Sequence, residues 1–284
     1  MPELPEVETI VRGLDKRVRG DTIDSVWIGS RKQPLKSPAS KIASTLEGKR
    51  IVRVHRAGKH IVFDLEGAIP ASRDKRQAVS LRKGTGSVQW IVHLGMTGRL
   101  VVCEPAEEIA KHTHLIAKLA SGRELRFVDP RMFGKLSVHA DGFDPGGVEP
   151  LEVDEERFIE LFRRRKTPIK SALLNQKLLR GVGNIYADES LFRTGIRPRR
   201  RASTLTRDEL RWLHRSVREV LSEAIALGGS SISDYVDADG EEGFFQLQHR
   251  VYGREGEKCL VCGTPVKRVV LAGRSSHYCP KCQK

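Results

Sequence analysis

The stretch LLRGVGNIYADES, Leu178 to Ser190, carries glycines that admit two incompatible readings. Gly181 and Gly183 ahead of a helix-compatible run could open a dinucleotide fingerprint or form a tight connection between helices. That fingerprint needs a preceding strand and the full glycine pattern, and the segment has neither. Shortly before it, TPIKSALL (167–174) reads as a helix with Thr167 as cap and Pro168 in the first turn. The stretch is therefore a tight connection between helices. Backbone amides at the start of the second helix, with the Asn184 side-chain amide beside them, suit a nucleic-acid phosphate; plain helix packing is the other use of the same geometry.

Helical signals continue on both sides of this stretch. Asp154 caps a run to Phe162, and TRDELRWLHRSVREVLSEAIALGG (206–229) carries a capping box at Thr206 and Glu209. Its apolar stripe is Leu210, Leu213, Val217, Val220 and Leu221, and Gly228 closes it. Before the linker-like DGFDPGGVEP (141–150) the character changes. IDSVWIG, RIVRVHR, HIVFDLE, VQWIVHL, THLIAKL and RELRFVD are short β-rich runs, several alternating at period two, and predict a two-layered antiparallel domain. A helix leads it: Val7, Ile10, Val11, Leu14 and Val18 recur at helical spacing, with Pro5 in the first turn and Gly20 at the end. Residues 67–87 read as a long exposed loop.

The 284 residues carry a formal charge of +14 and reach a pI near 9.8, so the expected partner is a polyanion, with nucleic acid ahead of an acidic membrane surface. No apolar run approaches the ~20 residues of a membrane span, and the acidic N-terminus lacks the parts of a signal peptide. A cytoplasmic protein without membrane contact is expected. Four of the five cysteines fall in the last 26 residues as CLVC (Cys259, Cys262) and CPKC (Cys279, Cys282). Two such knuckles present four thiolates tetrahedrally, the closed set of one structural zinc with no open position for substrate. Cys103, in RLVVC, reads as a core or strand-end thiol.

The first nine residues, MPELPEVET, pose a chemical question. A small second residue lets Met1 be removed, which leaves Pro2 with a free secondary amine. An α-amine titrates near 8 and a lysine near 10.4, so Pro2 is the better nucleophile at neutral pH, and the positive end of the adjoining helix disfavours its ammonium form.

Together with AGKHIVF, HLGMTGRL, KHTHL, DPRMFGK, TPIKSALLNQK, GVGNIYADESLF, VYGREGEKCLVCGTPV and RSSHYCPKC, all in order, that start resembles the bacterial formamidopyrimidine-DNA glycosylases over nearly the whole chain. The resemblance implies an α+β protein in three parts. They are an N-terminal antiparallel β-sandwich flanked by helices (1–150), a helix-two-turn-helix DNA-binding domain (151–250) and a C-terminal zinc-binding β-hairpin (251–284). It implies a monomeric base-excision enzyme acting on double-stranded DNA that holds oxidised purines or abasic sites.

By the same resemblance Pro2 forms an iminium with the sugar, Glu3 protonates the sugar oxygen, and Lys59 assists β-elimination. Arg274 in the hairpin serves phosphate contact and δ-elimination. Glu6, three residues from Glu3 on one helical face, would orient the sugar or merely favour the helix start. Met96, Arg131 and Phe133 match the residues that fill the stack when a nucleotide is extruded. His112, Arg165, Lys170 and Asn184 match phosphate contacts, and residues 231–246 match the loop that closes over the flipped base. Two departures stand out: the length of the 67–87 loop, and Met132 where many relatives carry a second basic residue. Two alternatives remain: a pyrimidine-directed relative resembling endonuclease VIII, whose usual start differs from PELPEVET, and a non-catalytic zinc-bearing DNA-binding protein, against which Pro2, Glu3 and Lys59 argue.

Overall fold

The computed structural model describes residues 1–67, 88–140, 142–230 and 243–284; most of the two loops expected at 67–87 and 231–246 lies outside them. The chain divides into two compact units. The first contains Met1–Pro2 and Val7–Asp144, and the second contains Glu3–Glu6, Pro145–Ser233 and Glu242–Lys284.

In the first unit, helix α1 (Leu4–Val18), which belongs to it from Val7 onward, is followed by β1 (Thr22–Ile28), α2 (Ala39–Leu46), β2 (Lys49–Ala57), β3 (His60–Gly67), β4 (Val88–His93), β5 (Arg99–Cys103), β6 (Thr113–Leu119), β7 (Glu124–Val128) and β8 (Lys135–His139). All neighbouring strands pair antiparallel, in the order β5-β7-β6-β1-β2-β3-β4-β8. The β1–β2 junction is made only by Thr22↔Arg50 and Ile23↔Lys49. So short a junction lets the sheet fold into two four-stranded halves, and both halves feed one core. Phe63, Trp90 and Val92 come from one half and Leu115, Ala117 and Phe127 from the other. Val7, Ile10, Val11, Leu14 and Val18 of α1 join the same core. This is the helix-flanked sandwich that the period-two runs and the leading helix imply.

Two elements were not legible. Helix α2 has only eight residues and buries Ile42 and Leu46 alone, too few turns to establish a period. Strand β8 is five residues long and continues directly from the DPRMFG segment, which hides its start.

The second unit carries α3 (Glu155–Phe162), α4 (Ile169–Leu173), α5 (Asn184–Arg193), α6 (Arg207–Ala226) and the hairpin β9 (Lys267–Leu271)–β10 (Arg274–Tyr278). Asp154 caps α3 through the Arg157 amide at 2.8 Å, and Thr206 and Glu209 form the reciprocal box on α6. The cap expected from Thr167 is not made. Pro168 is the N-cap of α4, and the amides of Ile169 and Lys170 donate to the carbonyls of Arg200 and Pro198 instead, at 2.7 and 3.4 Å. Tertiary carbonyls thus replace a local side chain. Phe158, Phe162, Ile169, Leu173, Tyr186, Leu213 and Val217 build the core, with Leu4 of the N-terminal segment inserted among them. Among the described residues no helix is long and apolar enough to cross a membrane.

Candidate active site and nucleic-acid interface

The segment Glu3–Glu6 is built into the second unit by the glycine stretch Gly181–Gly183. Gly181 takes a left-handed φ of +90° and its carbonyl accepts the Leu4 amide at 3.0 Å. Gly183 precedes α5, and the Glu3 carboxylate occupies the space where a side chain would stand. Glu3 is buried, and its Oε1 accepts the Ile185 amide at 3.3 Å. The helix start expected to offer its amides to a phosphate therefore has one of them engaged by the chain's own carboxylate, in the favourable field of the helix N-terminus.

Glu6 lies deeper still. Its Oε2 accepts the Glu3 amide at 2.7 Å, and its Oε1 accepts the Ser230 amide at 2.8 Å and the Tyr186 hydroxyl. Burial raises its pKa, while the bonds from Tyr186, Ser230 and Glu3 oppose that rise. Both oxygens are thus engaged by donors that fix the backbone beside Glu3.

In the first unit Pro2 is half-buried, and Lys59 is buried in the turn that joins β2 to β3. His93 stands near this turn, its ring centroid 4.9 Å from that of His60. Its pKa is pushed down to about 4 by burial first, then by the charges of His60, Lys135 and Lys59. The Gly95 amide donates to His93 Nδ1 at 3.0 Å, a bond that only the neutral ring can accept. The unfolded chain takes up this proton near pH 6.5 and the fold does not, so stability should fall as pH drops from about 6.5 toward 4. Urea unfolding at pH 7 and pH 4.5 measures the loss, and His93→Gln should flatten it.

Met96, Arg131 and Phe133 are all exposed, on two loops pressed together. A Cβ on Gly95 would lie 2.5 Å from the Phe133 backbone, and the Arg131 guanidinium sits 4.9 Å over the Phe133 ring. Asp129, fully buried, organises both loops: Oδ1 accepts the Thr97 hydroxyl at 2.6 Å and the Arg131 amide at 3.2 Å, and Oδ2 accepts the Gly134 amide at 2.7 Å. Asp129→Ala should cost about 2–4 kcal/mol, since it leaves buried donors unmatched. It should also weaken binding to a lesion duplex; unchanged affinity in a fluorescence titration would separate these loops from DNA. His112 is exposed next to β6, and its carbonyl accepts the Asp129 amide.

In the second unit Arg165 is exposed and its Nε donates to the Leu161 carbonyl at 2.8 Å, at the end of α3. Lys170 is not a surface cation. It is fully buried, 2.7 Å from Asp188 Oδ1, and it donates to the Ser275 carbonyl at 2.6 Å. Asn184 Nδ2 donates to Ser275 Oγ at 3.3 Å, and Arg274 lies exposed at the start of β10. The sulfurs of Cys259, Cys262, Cys279 and Cys282 lie within 4.8 Å of one another, with Cys259–Cys282 at 3.9 Å and Cys262–Cys279 at 3.4 Å. Tetrahedral zinc with bonds of about 2.3 Å requires sulfur separations of about 3.8 Å, so the set suits one structural zinc.

Sequence reasoning did not find Asp129, Tyr186, Asp188 or Ser230. DPR and GNIYADES advertise the first three only as parts of longer runs, and no local spacing signals Ser230.

The N-terminal domain of formamidopyrimidine-DNA glycosylase matches residues 1–136, the H2TH domain of the same enzyme residues 147–236, and the zinc finger found in FPG and IleRS residues 256–284. The formamidopyrimidine-DNA glycosylase of Solibacter usitatus is 44% identical over the full length of both chains. A mutant Lactococcus lactis FPG in complex with Fapy-dG-containing DNA superposes with a TM-score of 0.86, at 34% identity and with both chains fully covered. The Lactococcus lactis Fpg bound to abasic-site DNA gives 0.85 at the same identity, covering 99% of each chain. Fold, four-thiolate finger and these matches define a zinc-finger DNA glycosylase and abasic-site lyase of base-excision repair. The chain belongs to the formamidopyrimidine-DNA glycosylase family.

Proposed function

We propose that this enzyme removes oxidised purines, 8-oxoguanine and formamidopyrimidines, from double-stranded DNA, with Pro2 as the nucleophile once Met1 has been removed. The observation that carries the reading is Glu3: a buried carboxylate, adjacent in the chain to Pro2 and held on the Ile185 amide. Acid and amine thus enter the reaction from neighbouring residues.

The Pro2 nitrogen attacks the sugar C1′ and gives up its proton, which the Glu3 carboxylate takes and passes to the ring oxygen as that oxygen leaves C1′ and the ring opens. The glycosidic bond breaks and the base leaves. The nitrogen lone pair then forms the C1′ iminium. This electron sink acidifies C2′; loss of its proton expels the 3′ phosphate, and loss of the C4′ proton in turn expels the 5′ phosphate. Lys59 assists the first elimination and Arg274 the second. Met96, Arg131 and Phe133 fill the vacated stack, with the Arg131 guanidinium bonding the orphaned cytosine.

His112, Arg165, Lys170 and Asn184 serve the phosphate backbone, Lys170 through its hold on the hairpin. Glu6 acts by fixing Glu3. Zinc, held by the four cysteines, supplies structure to the finger and no chemistry to the reaction. We further propose a cytoplasmic monomer, with functional parts at 1–150, 151–250 and 251–284.

Borohydride reduction on a duplex with 8-oxoguanine opposite cytosine tests the reading. A covalent adduct that mass spectrometry maps to Pro2 is expected. An adduct on Lys59, or efficient trapping only with an oxidised pyrimidine, would overturn it.

A further inference from the structure

We infer that Asp188 is the positioning residue for Arg274, an inference that rests on the role proposed above for that arginine. Asp188 is fully buried on α5. Its Oδ2 accepts the His277 amide at 2.9 Å, and its Oδ1 lies 2.7 Å from Lys170 Nζ. Lys170 in turn donates to the Ser275 carbonyl at 2.6 Å. One carboxylate therefore neutralises a buried lysine and grips the backbone of β10, while its lysine grips the same strand two residues earlier. Asn184, one turn before Asp188 on α5, adds the bond to Ser275 Oγ.

These contacts fall within three residues of Arg274. The thiolate cluster holds β10 only from its far end, beginning at Cys279. A strand advances about 3.3 Å per residue, so a hairpin held by its metal alone would carry Arg274 on a lever of about 17 Å. The partner strand does not remove that lever. The Arg274↔Leu271 pair belongs to the hairpin itself, and its tip at Ala272 and Gly273 is exposed. Glu189 fixes a different segment, accepting the amides of Arg250, Val251 and Tyr252 where the chain enters the finger. A buried ion pair is replaceable by apolar packing as far as stability goes. Its presence here is explained by what an apolar pair cannot do, which is to clamp a backbone amide and a backbone carbonyl at once.

The test compares zinc-replete wild type, Asp188→Asn and Arg274→Ala on a duplex with a preformed abasic site. β- and δ-elimination proceed from one bound adduct, so loss of folded protein scales both products alike, whereas a misplaced Arg274 changes their ratio. Asp188→Asn is expected to lower the δ-to-β ratio by about ten-fold or more, as a small displacement of a reacting group does. It should also speed amide exchange at residues 275–277 by a similar factor. If Arg274→Ala lowers the ratio and Asp188→Asn does not, the inference is wrong and the reading of Arg274 stands. If Arg274→Ala leaves the ratio unchanged, that reading fails and takes the inference with it. Should Asp188→Asn not fold, Asp188→Glu keeps the charge opposite Lys170 but moves the acceptor off the His277 amide. The same fall in ratio is then expected, and a wild-type ratio overturns the inference.

Discussion

An enzyme that keeps an uncleaved extension in front of Pro2 is expected to bind lesion DNA normally and to lose base excision by about six orders of magnitude, the scale on which removal of a nucleophile acts. The cause is electronic. In a peptide bond the proline nitrogen shares its lone pair with the carbonyl and has nothing to offer the sugar C1′. At pH 7 about a tenth of an ordinary α-amine is deprotonated, against fewer than about one ordinary lysine in a thousand. Pro2→Gly leaves a primary amine that is less constrained, and it should retain a small residue of activity. Single-turnover excision with parallel borohydride trapping measures both. Full activity with the extension intact, confirmed by mass spectrometry, would remove Pro2 from the mechanism.

The parts of this site that were readable in the sequence are those whose physics is local. The capping box of Thr206 and Glu209, the period-two strands and the two cysteine knuckles each need only a few neighbouring residues, and the fold builds them where the spacing puts them. Contacts that close over long separations were not readable. Glu6 meets Tyr186 and Ser230 across 180 and 224 positions, and Asp188 meets His277 across 89. Nothing in a glutamate's sequence neighbours announces such partners.

Thr167 shows the converse failure. A good local cap was available, but distant carbonyls at Pro198 and Arg200 satisfied the same amides. Lys170 is the sharpest case: on a five-residue helix the side of a lysine is set by the tertiary partner, and Asp188 drew it inside.

The stretch GVG separates stability from catalysis at two positions two residues apart. Gly183→Ala is expected to leave the enzyme folded and zinc-loaded while lowering base excision by about a hundred-fold or more, the cost of misplacing a catalytic group by an ångström or so. Gly183 has φ −130° and ψ −163°, extended backbone that alanine adopts without strain. The new Cβ, however, would lie 2.1 Å from the Glu3 carboxyl carbon and 2.3 and 2.4 Å from its oxygens. Those atoms end a flexible side chain, so they can swing away, and the fold loses little beyond one helix cap, about 1 kcal/mol.

At Gly181 the balance reverses. Its φ of +90° strains any side chain, and the added methyl would meet the Leu4 side chain at 2.8 Å, inside the core. Gly181→Ala should therefore cost roughly 2–4 kcal/mol of stability. Whatever folds of it should cleave abasic sites normally. Because lyase action on a preformed abasic site does not need the ring-opening proton, Gly183→Ala should lose far less of that activity than of excision. Urea unfolding paired with excision and lyase assays on both variants decides the matter. Wild-type excision by Gly183→Ala, with the alanine confirmed, would mean that Glu3 does not act from the position in which the Ile185 amide holds it.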